Sequence, residues 1–459
     1  MKQMNVRAMI MMIIAALFLF GVIFFCFEYV TDGADWGLYP ANTHIFKSGQ
    51  INRAGKITDR DGTVLVETVD GKRVYNSNYG IRLSTLHAVG DLDGKIETGL
   101  QSSYLDLLCD YNMLDGVYQT SDTGNNIQTT LSAEVCADAL DAIGNRNGTV
   151  AVYNYKTGEM ICMVSTPTYD VEDEEDSEKA HSGEYKGVYI NRFISADYTP
   201  GSTFKIITAA AGIDTFPDIY EREYVCKGGV EIDGEWISCM GYHGSETIES
   251  AFAHSCNAYF SQLAVDLGQD VMTKYAEKAG FNQKFSIDGI GAKTSYFDVA
   301  DSRDIDLAWA GMGQYTNMMN PLQYLTMLGG IANGGSAKEP YFIQKATTPL
   351  GIPIKLNLIS GSRSVFNSEV SSAVTDLMAY AVKNNYGTWR FHGLDVCAKS
   401  GTAEVGEGRV PHSVFVGFTR DEDYPLAFVV VAENSGAGSE IACNISAAVL
   451  KSIKENVTF

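Results

Sequence analysis

Tyr198-Thr199-Pro200-Gly201-Ser202-Thr203-Phe204-Lys205 is the stretch on which the reading of this chain turns. Pro200-Gly201 imposes a turn, and the apolar run 206–213 continues as a helix. Ser202 therefore falls at a helix start, where free backbone N–H groups and the positive end of the dipole favour a developing anion. Positions three apart share a helix face, so the Lys205 amine can approach the Ser202 hydroxyl. A serine hydroxyl is a poor nucleophile near neutral pH and needs an adjacent base, which a desolvated lysine supplies. The same residues also read as an N-cap serine and a solvated lysine. Although no other Ser-x-x-Lys occurs in the chain, this one decides nothing alone.

Two further clusters add to it. Ser255-Cys256-Asn257 precedes the helical pattern of Ala258-Tyr259-Phe260. A hydroxyl beside the nucleophile can relay a proton, and an Asn amide can hold a peptide group. Taken alone, the triplet is an ordinary cap or turn. Lys399-Ser400-Gly401-Thr402 lies in the strand pattern 396–405. Gly401 lets a substrate backbone come close, and Lys399, Ser400 and Thr402 offer charge and hydroxyls to a carboxylate. The Thr402 N–H could complete an oxyanion hole. Lys156-Thr157-Gly158 is also Lys-Thr-Gly, yet it precedes Ser202 and falls in a hairpin turn, so it is read as structural.

Outward from these clusters the pattern is strands, helices, strands and a last helix. Residues 126–130 form a short strand, followed by a helix capped by Ser132 and stopped at Gly144. Alternation over 149–154 and 159–165 gives a hairpin, and the acidic stretch 172–178 reads as a solvated loop. Helical patterns dominate 204–333, strands return over 396–431, and 441–453 is an amphipathic helix. The implied class is α+β, a sheet with helices packed on it. Upstream, Asp61-Gly62 between β-prone runs marks a hairpin over 53–68, within a small α+β module spanning 29–124.

The chain has 459 residues, 45% hydrophobic, and a formal net charge of −22. Nucleic acid is an unsuitable partner for so acidic a chain, because that binding rests on Lys and Arg at phosphates. Residues 8–27 are uncharged and long enough to span a bilayer, with Lys2 and Arg7 before them and Glu28, Asp32 and Asp35 after. The asymmetry places the N-terminus in the cytoplasm, residues 1–28 as tip and anchor, and the rest outside. A cleaved signal peptide would have a shorter apolar run and a small-x-small site, and neither is evident. Cys136, Cys162, Cys397 and Cys443 fall in apolar periodic segments and read as small core residues. Cys226 and Cys239 flank a Gly-rich hairpin over 227–238, where a disulfide and two free thiols remain equally open. No His pair has zinc spacing, so no metal site is expected, nor any cofactor.

Ser-x-x-Lys, Ser-x-Asn and Lys-Ser-Gly in that order resemble the penicillin-binding proteins and class A β-lactamases. The similarity is closest to the class B penicillin-binding transpeptidases. It rests on 149–212, on Gly313-Gln314 through Pro321-Leu322-Gln323, on the run ending at Glu404, and on 412–418. Asp59-Arg60-Asp61-Gly62 resembles that family's N-terminal pedestal. The resemblance implies a transpeptidase domain over 125–459 and a serine D,D-transpeptidase that cross-links peptidoglycan stem peptides and is acylated by β-lactams. It implies Ser202 as the acylated nucleophile, Lys205 as base and Ser255 as proton relay. Asn257 would hold substrate; Lys399, Ser400, Gly401 and Thr402 would bind and polarise it. It also implies a polytopic membrane glycosyltransferase as partner. A D,D-carboxypeptidase or β-lactamase-like hydrolase is the alternative, but no Glu-x-x-Leu-Asn follows Asn257. A penicillin sensor or inactive scaffold would have a signalling region or lost motif residues. The acidic stretch after Tyr169 departs from the family's wording, and no glycosyltransferase-sized region separates anchor from pedestal.

Overall fold

Gly148–Asn154 (β1) and Met160–Thr166 (β2) are buried along their whole length, as are Leu426–Ala432 (β5) and nearly all of Val396–Ala403 (β3) and His412–Thr419 (β4). Strands so uniformly apolar must be covered on both faces. The computed structural model, which describes residues 2–39, 41–43, 45–47, 50–117, 123–357, 361–404, 406 and 408–459, arranges them as one antiparallel sheet in the order β3-β4-β5-β1-β2. Helices Pro321–Ala332 and Ile441–Asn456 pack on it, the second also against Ala133–Ile143. The contact is close: a Cβ at Gly329 would collide with the Tyr153 hydroxyl. The α+β fold expected from the strand and helix pattern is the fold observed.

Helices Lys205–Thr215 (α1), Ile248–His254 (α2) and Asn257–Lys278 (α3) form a helical half: they pack on one another, and the turn Gly201–Phe204 that leads into α1 packs on β3. α1 is buried from Lys205 to Gly212, so it is the core helix of this half. Between α1 and α2 the chain forms a strand pair, Tyr224–Cys226 with Gly244–Glu246, around the hairpin Gly229–Ile232 and Glu235–Ser238.

A second sheet has six strands, in the order Pro353–Leu356, Ile343–Thr347, Asn126–Thr129, Ile57–Thr58, Val64–Val69, Lys72–Tyr75. It draws strands from both sides of residue 125. The hairpin at Asp61-Gly62 is held by the Asp59 carboxylate, which accepts the backbone N–H groups of Asp61 and Thr63 at 2.9 and 2.8 Å. Arg82 forks onto Asp170 at 2.7 and 2.5 Å, tying helix Tyr79–Val89 to the segment after β2.

Two departures from the sequence pattern are physical. The acidic stretch expected as a loop contains the helix Glu174–Ser182. Asp173 caps it, Glu174, Glu175 and Asp176 fill its first turn, and left-handed Gly183 ends it, so its charges stabilise the dipole. The N-terminal helix runs Lys2–Gly37, beyond the apolar segment, and is long and apolar enough to cross a membrane. Its end is anchored to the 57–117 region, where the Tyr29 hydroxyl donates to Met113 O at 2.7 Å.

Candidate active site

Ser202 stands in a single 3₁₀ turn, Gly201–Phe204, that leads into α1. Gly201 has φ of 54°, and a Cβ there would lie 2.7 Å from the Thr402 carbonyl oxygen. At Gly401 a Cβ would lie 2.8 Å from the Pro200 carbonyl. The two glycines let the nucleophile turn and β3 touch backbone to backbone, which is the physical need behind Pro-Gly-Ser and Lys-Ser-Gly.

Lys205, fully buried, points back at this turn. Its Nζ is 3.1 Å from Ser202 Oγ, 2.7 Å from Ser255 O, 3.2 Å from Ser255 Oγ and 2.7 Å from Asn257 Oδ1. A carbonyl and an amide oxygen only accept, so they take two N–H bonds. Asn257 Nδ2 donates to Ser238 O at 3.0 Å, which fixes which end of the amide faces the lysine. A neutral amine has two N–H groups and one lone pair, and the lone pair is then left for the two hydroxyls. Burial pushes Lys205 down to about 8, so the neutral form is accessible near physiological pH.

Ser255 links a second amine. It has φ of 55° and closes α2 one residue before Cys256 caps α3, which turns its hydroxyl inward. Lys399 Nζ lies 3.0 Å from Ser255 Oγ and 3.1 Å from Ser400 O. Lys399 is fully buried, and burial, with the nearby Lys205, holds its amine well below the ordinary lysine value. Ser202, Lys205, Ser255 and Lys399 thus form one chain of proton-exchanging groups, with Asn257, Ser400, Gly401 and Thr402 beside it. Lys156-Thr157-Gly158 is a turn, where the Asn154 side chain accepts the N–H groups of Lys156 and Thr157.

Some neighbours carry no sequence motif. Tyr386 is buried in a π-helical turn, with its hydroxyl 3.0 Å from Ser400 Oγ and accepting Ser400 N–H at 3.0 Å. Glu433 accepts from Arg192 Nε at 2.7 Å and from the Tyr198 hydroxyl at 3.0 Å, bracing the residues before the nucleophile turn. A Pro-Gly turn or a Lys-Ser-Gly strand announces itself locally; a lone tyrosine 14 residues ahead of Ser400 carries no such signal.

All nine cysteines are free, so Cys226 and Cys239 take the free-thiol alternative. No metal site was expected, because no two histidines have zinc-ligand spacing in the chain. The fold nevertheless turns the hairpin back onto the start of α3 and gathers Cys226, Cys239, His243 and Cys256 into one cluster.

A half-buried serine paired with a buried lysine, bridged by a second serine to a second lysine on a sheet edge, defines a serine acyl-transfer site. The family model of the penicillin binding protein transpeptidase domain matches residues 148–451, and the chain belongs to that family. Peptidoglycan D,D-transpeptidase PbpA of Mycolicibacterium smegmatis is 27% identical over 341 residues, 68% of each chain. Stage V sporulation protein D of Bacillus subtilis is 28% identical over 352 residues, 74% of this chain and 53% of its own. The D,D-transpeptidase domain of a peptidoglycan glycosyltransferase from Eggerthella lenta superposes with TM-score 0.76 at 26% identity, over 88% of this chain and 98% of that one. Penicillin-binding protein A of M. tuberculosis, as its penicillin G acyl-enzyme complex, shares the fold with TM-score 0.77 at 24% identity, over 88% and 100%.

Proposed function

We propose that Ser202 is the acylated nucleophile of a peptidoglycan D,D-transpeptidase, with Lys205 as its base. The observation that carries this is the Lys205 amine, buried and 3.1 Å from Ser202 Oγ with two N–H groups already committed. In the first step the Ser202 proton passes to Lys205 Nζ as Oγ bonds to the penultimate D-Ala carbonyl carbon. The N–H groups of Ser202 and Thr402 stabilise the oxyanion, and the terminal D-Ala leaves with a proton passed through Ser255, poised by Lys399. The amine of a neighbouring stem peptide then attacks the ester and frees Ser202. Asn257 holds the donor peptide, and Ser400, Gly401 and Thr402 hold its carboxylate end. A β-lactam enters the same first step, and its ring-opened acyl group stays attached.

The charge asymmetry around the N-terminal helix places residues 1–28 as cytoplasmic tip and single-pass anchor. Residues 29–124 serve as pedestal and 125–459 as the extracytoplasmic transpeptidase domain. A polytopic membrane glycosyltransferase that supplies the glycan strands is the partner this layout suits. Intact-mass measurement after exposure to penicillin tests the nucleophile. Wild type should gain one adduct and Ser202→Ala none; an adduct on the variant would refute the assignment.

A further inference from the structure

Cys226 ends the strand Tyr224–Cys226, Cys239 follows Glu235–Ser238, His243 precedes Gly244–Glu246, and Cys256 is the N-cap of α3. Their ligand atoms all lie within 4.8 Å of one another. Cys239 Sγ is 3.9 Å from Cys256 Sγ and 3.6 Å from His243 Nδ1. A tetrahedral zinc ion about 2.3 Å from sulfur and about 2.0–2.1 Å from nitrogen requires an S···S edge of about 3.8 Å and an S···N edge of about 3.6 Å. Both separations fit.

The surroundings are those of a built site. Cys226 and Cys256 are buried, and Cys239 and His243 are half-buried. The Asn257 backbone N–H donates to Cys239 Sγ at 3.3 Å, as outer groups do at ligated sulfurs. The His243 ring stacks on His254 at 5.2 Å. His254 Nδ1 meets Glu246 Oε1 at 2.8 Å, and Glu246 is buried with its Oε2 unpartnered among the described residues. A disulfide would use two of the three sulfurs and leave the third and the imidazole unexplained, whereas one divalent ion takes all four donors.

We propose that Cys226, Cys239, His243 and Cys256 bind one tetrahedral zinc ion that locks the Ser255-Cys256-Asn257 segment in place. Three sulfurs and one nitrogen in a tetrahedral set favour zinc over harder cations. On binding, the cysteines release their protons to solvent and the imidazole ligates in its neutral form. All four positions are filled by protein, so the ion is structural and does not activate water. Cys256 stands between Ser255 and Asn257, both of which touch Lys205 Nζ, and so acts as a positioning residue.

The test uses the full chain purified in detergent without chelator. Elemental analysis should find close to one zinc per chain in wild type and a small fraction of that in Cys239→Ser. Should that variant fail to fold, wild type stripped with chelator and titrated with Co²⁺ should saturate at one equivalent, with the strong visible absorption of a tetrahedral thiolate complex. Stripping should slow penicillin acylation at least tenfold, and zinc should restore it. Zinc-free protein with three titratable thiols would overturn the site, as would a mass two hydrogens lighter from a disulfide, or Co²⁺ with only the pale spectrum of a hydrated ion. Zinc bound with no effect on acylation would overturn the positioning role. Metal content and the cobalt spectrum involve no acyl transfer, so the site can fail or hold independently of the role of Ser202.

Discussion

Burying an amine beside a serine costs stability, and the cost has a pH signature. The unfolded chain holds the Lys205 proton up to its ordinary 10.5, while the native chain releases it near about 8. Below about 8 the penalty is complete and on the order of 3 kcal/mol; across the window from 8 to 10.5 native stability rises with pH. Catalysis follows the same proton. The penicillin acylation rate should climb roughly tenfold per pH unit up to about 8 and level above it, because only the free amine accepts the Ser202 proton. A profile flat from pH 6 to 9 would show that Lys205 is not the base. Lys205→Met should lose about 10²–10⁴ in acylation while its melting temperature holds or rises. A large fall in melting temperature would mean that the amine's hydrogen bonds outweigh its desolvation. Tyr386→Phe should leave β-lactam acylation at Ser202 measurable but weaken it several-fold, since the Ser400 hydroxyl and N–H lose their shared partner. Unchanged acylation kinetics would reduce Tyr386 to packing.

Among elements, the contact between the nucleophile turn and β3 leaves little tolerance. Gly201→Ala adds a methyl at φ of 54° facing the Thr402 carbonyl. It should destabilise the protein by about 1–3 kcal/mol and reduce acylation more than tenfold as the turn lifts from the strand. Thermal melts and acylation rates of this single variant decide it; wild-type values for both would show that the turn can shift freely. The sequence marked both segments, Pro200-Gly201 as a turn and Gly401 as a point of close approach, but it read that approach as a substrate's; that the two segments meet each other is visible only in the fold. Helix Glu174–Ser182 was not legible, since a charge run reads as solvated loop unless the Asp173 cap and the Gly183 stop are weighed together. The cysteine cluster was less legible still. Its members lie on three separate strand ends and a helix cap, and only the returning hairpin makes them neighbours.

At the scale of the molecule, the apolar helix and the catalytic cleft are separable. Deleting residues 2–27 should move the protein from the membrane to the soluble fraction with β-lactam acylation intact, as read by fractionation and labelling. Continued membrane association would show that another surface binds lipid or a resident protein. The strand, helix and motif order could be read from the chain, as could the family, but not the partnership inside the six-stranded sheet. Short strands such as Asn126–Thr129 carry too few residues to name their neighbours. That sheet gives the chain an order of assembly. On the proposed orientation, with the chain beyond the anchor outside the cell, Ile57–Thr58 and Val64–Val69 would emerge first, and Asn126–Thr129 could join them early. The far edge of Asn126–Thr129 would then stay open until Ile343–Thr347 followed it across the membrane. Through that interval a half-exported chain would hold a bare strand edge, for which mispairing is the hazard. The distance along the chain between those two strands would then set how long that edge waits for its partner.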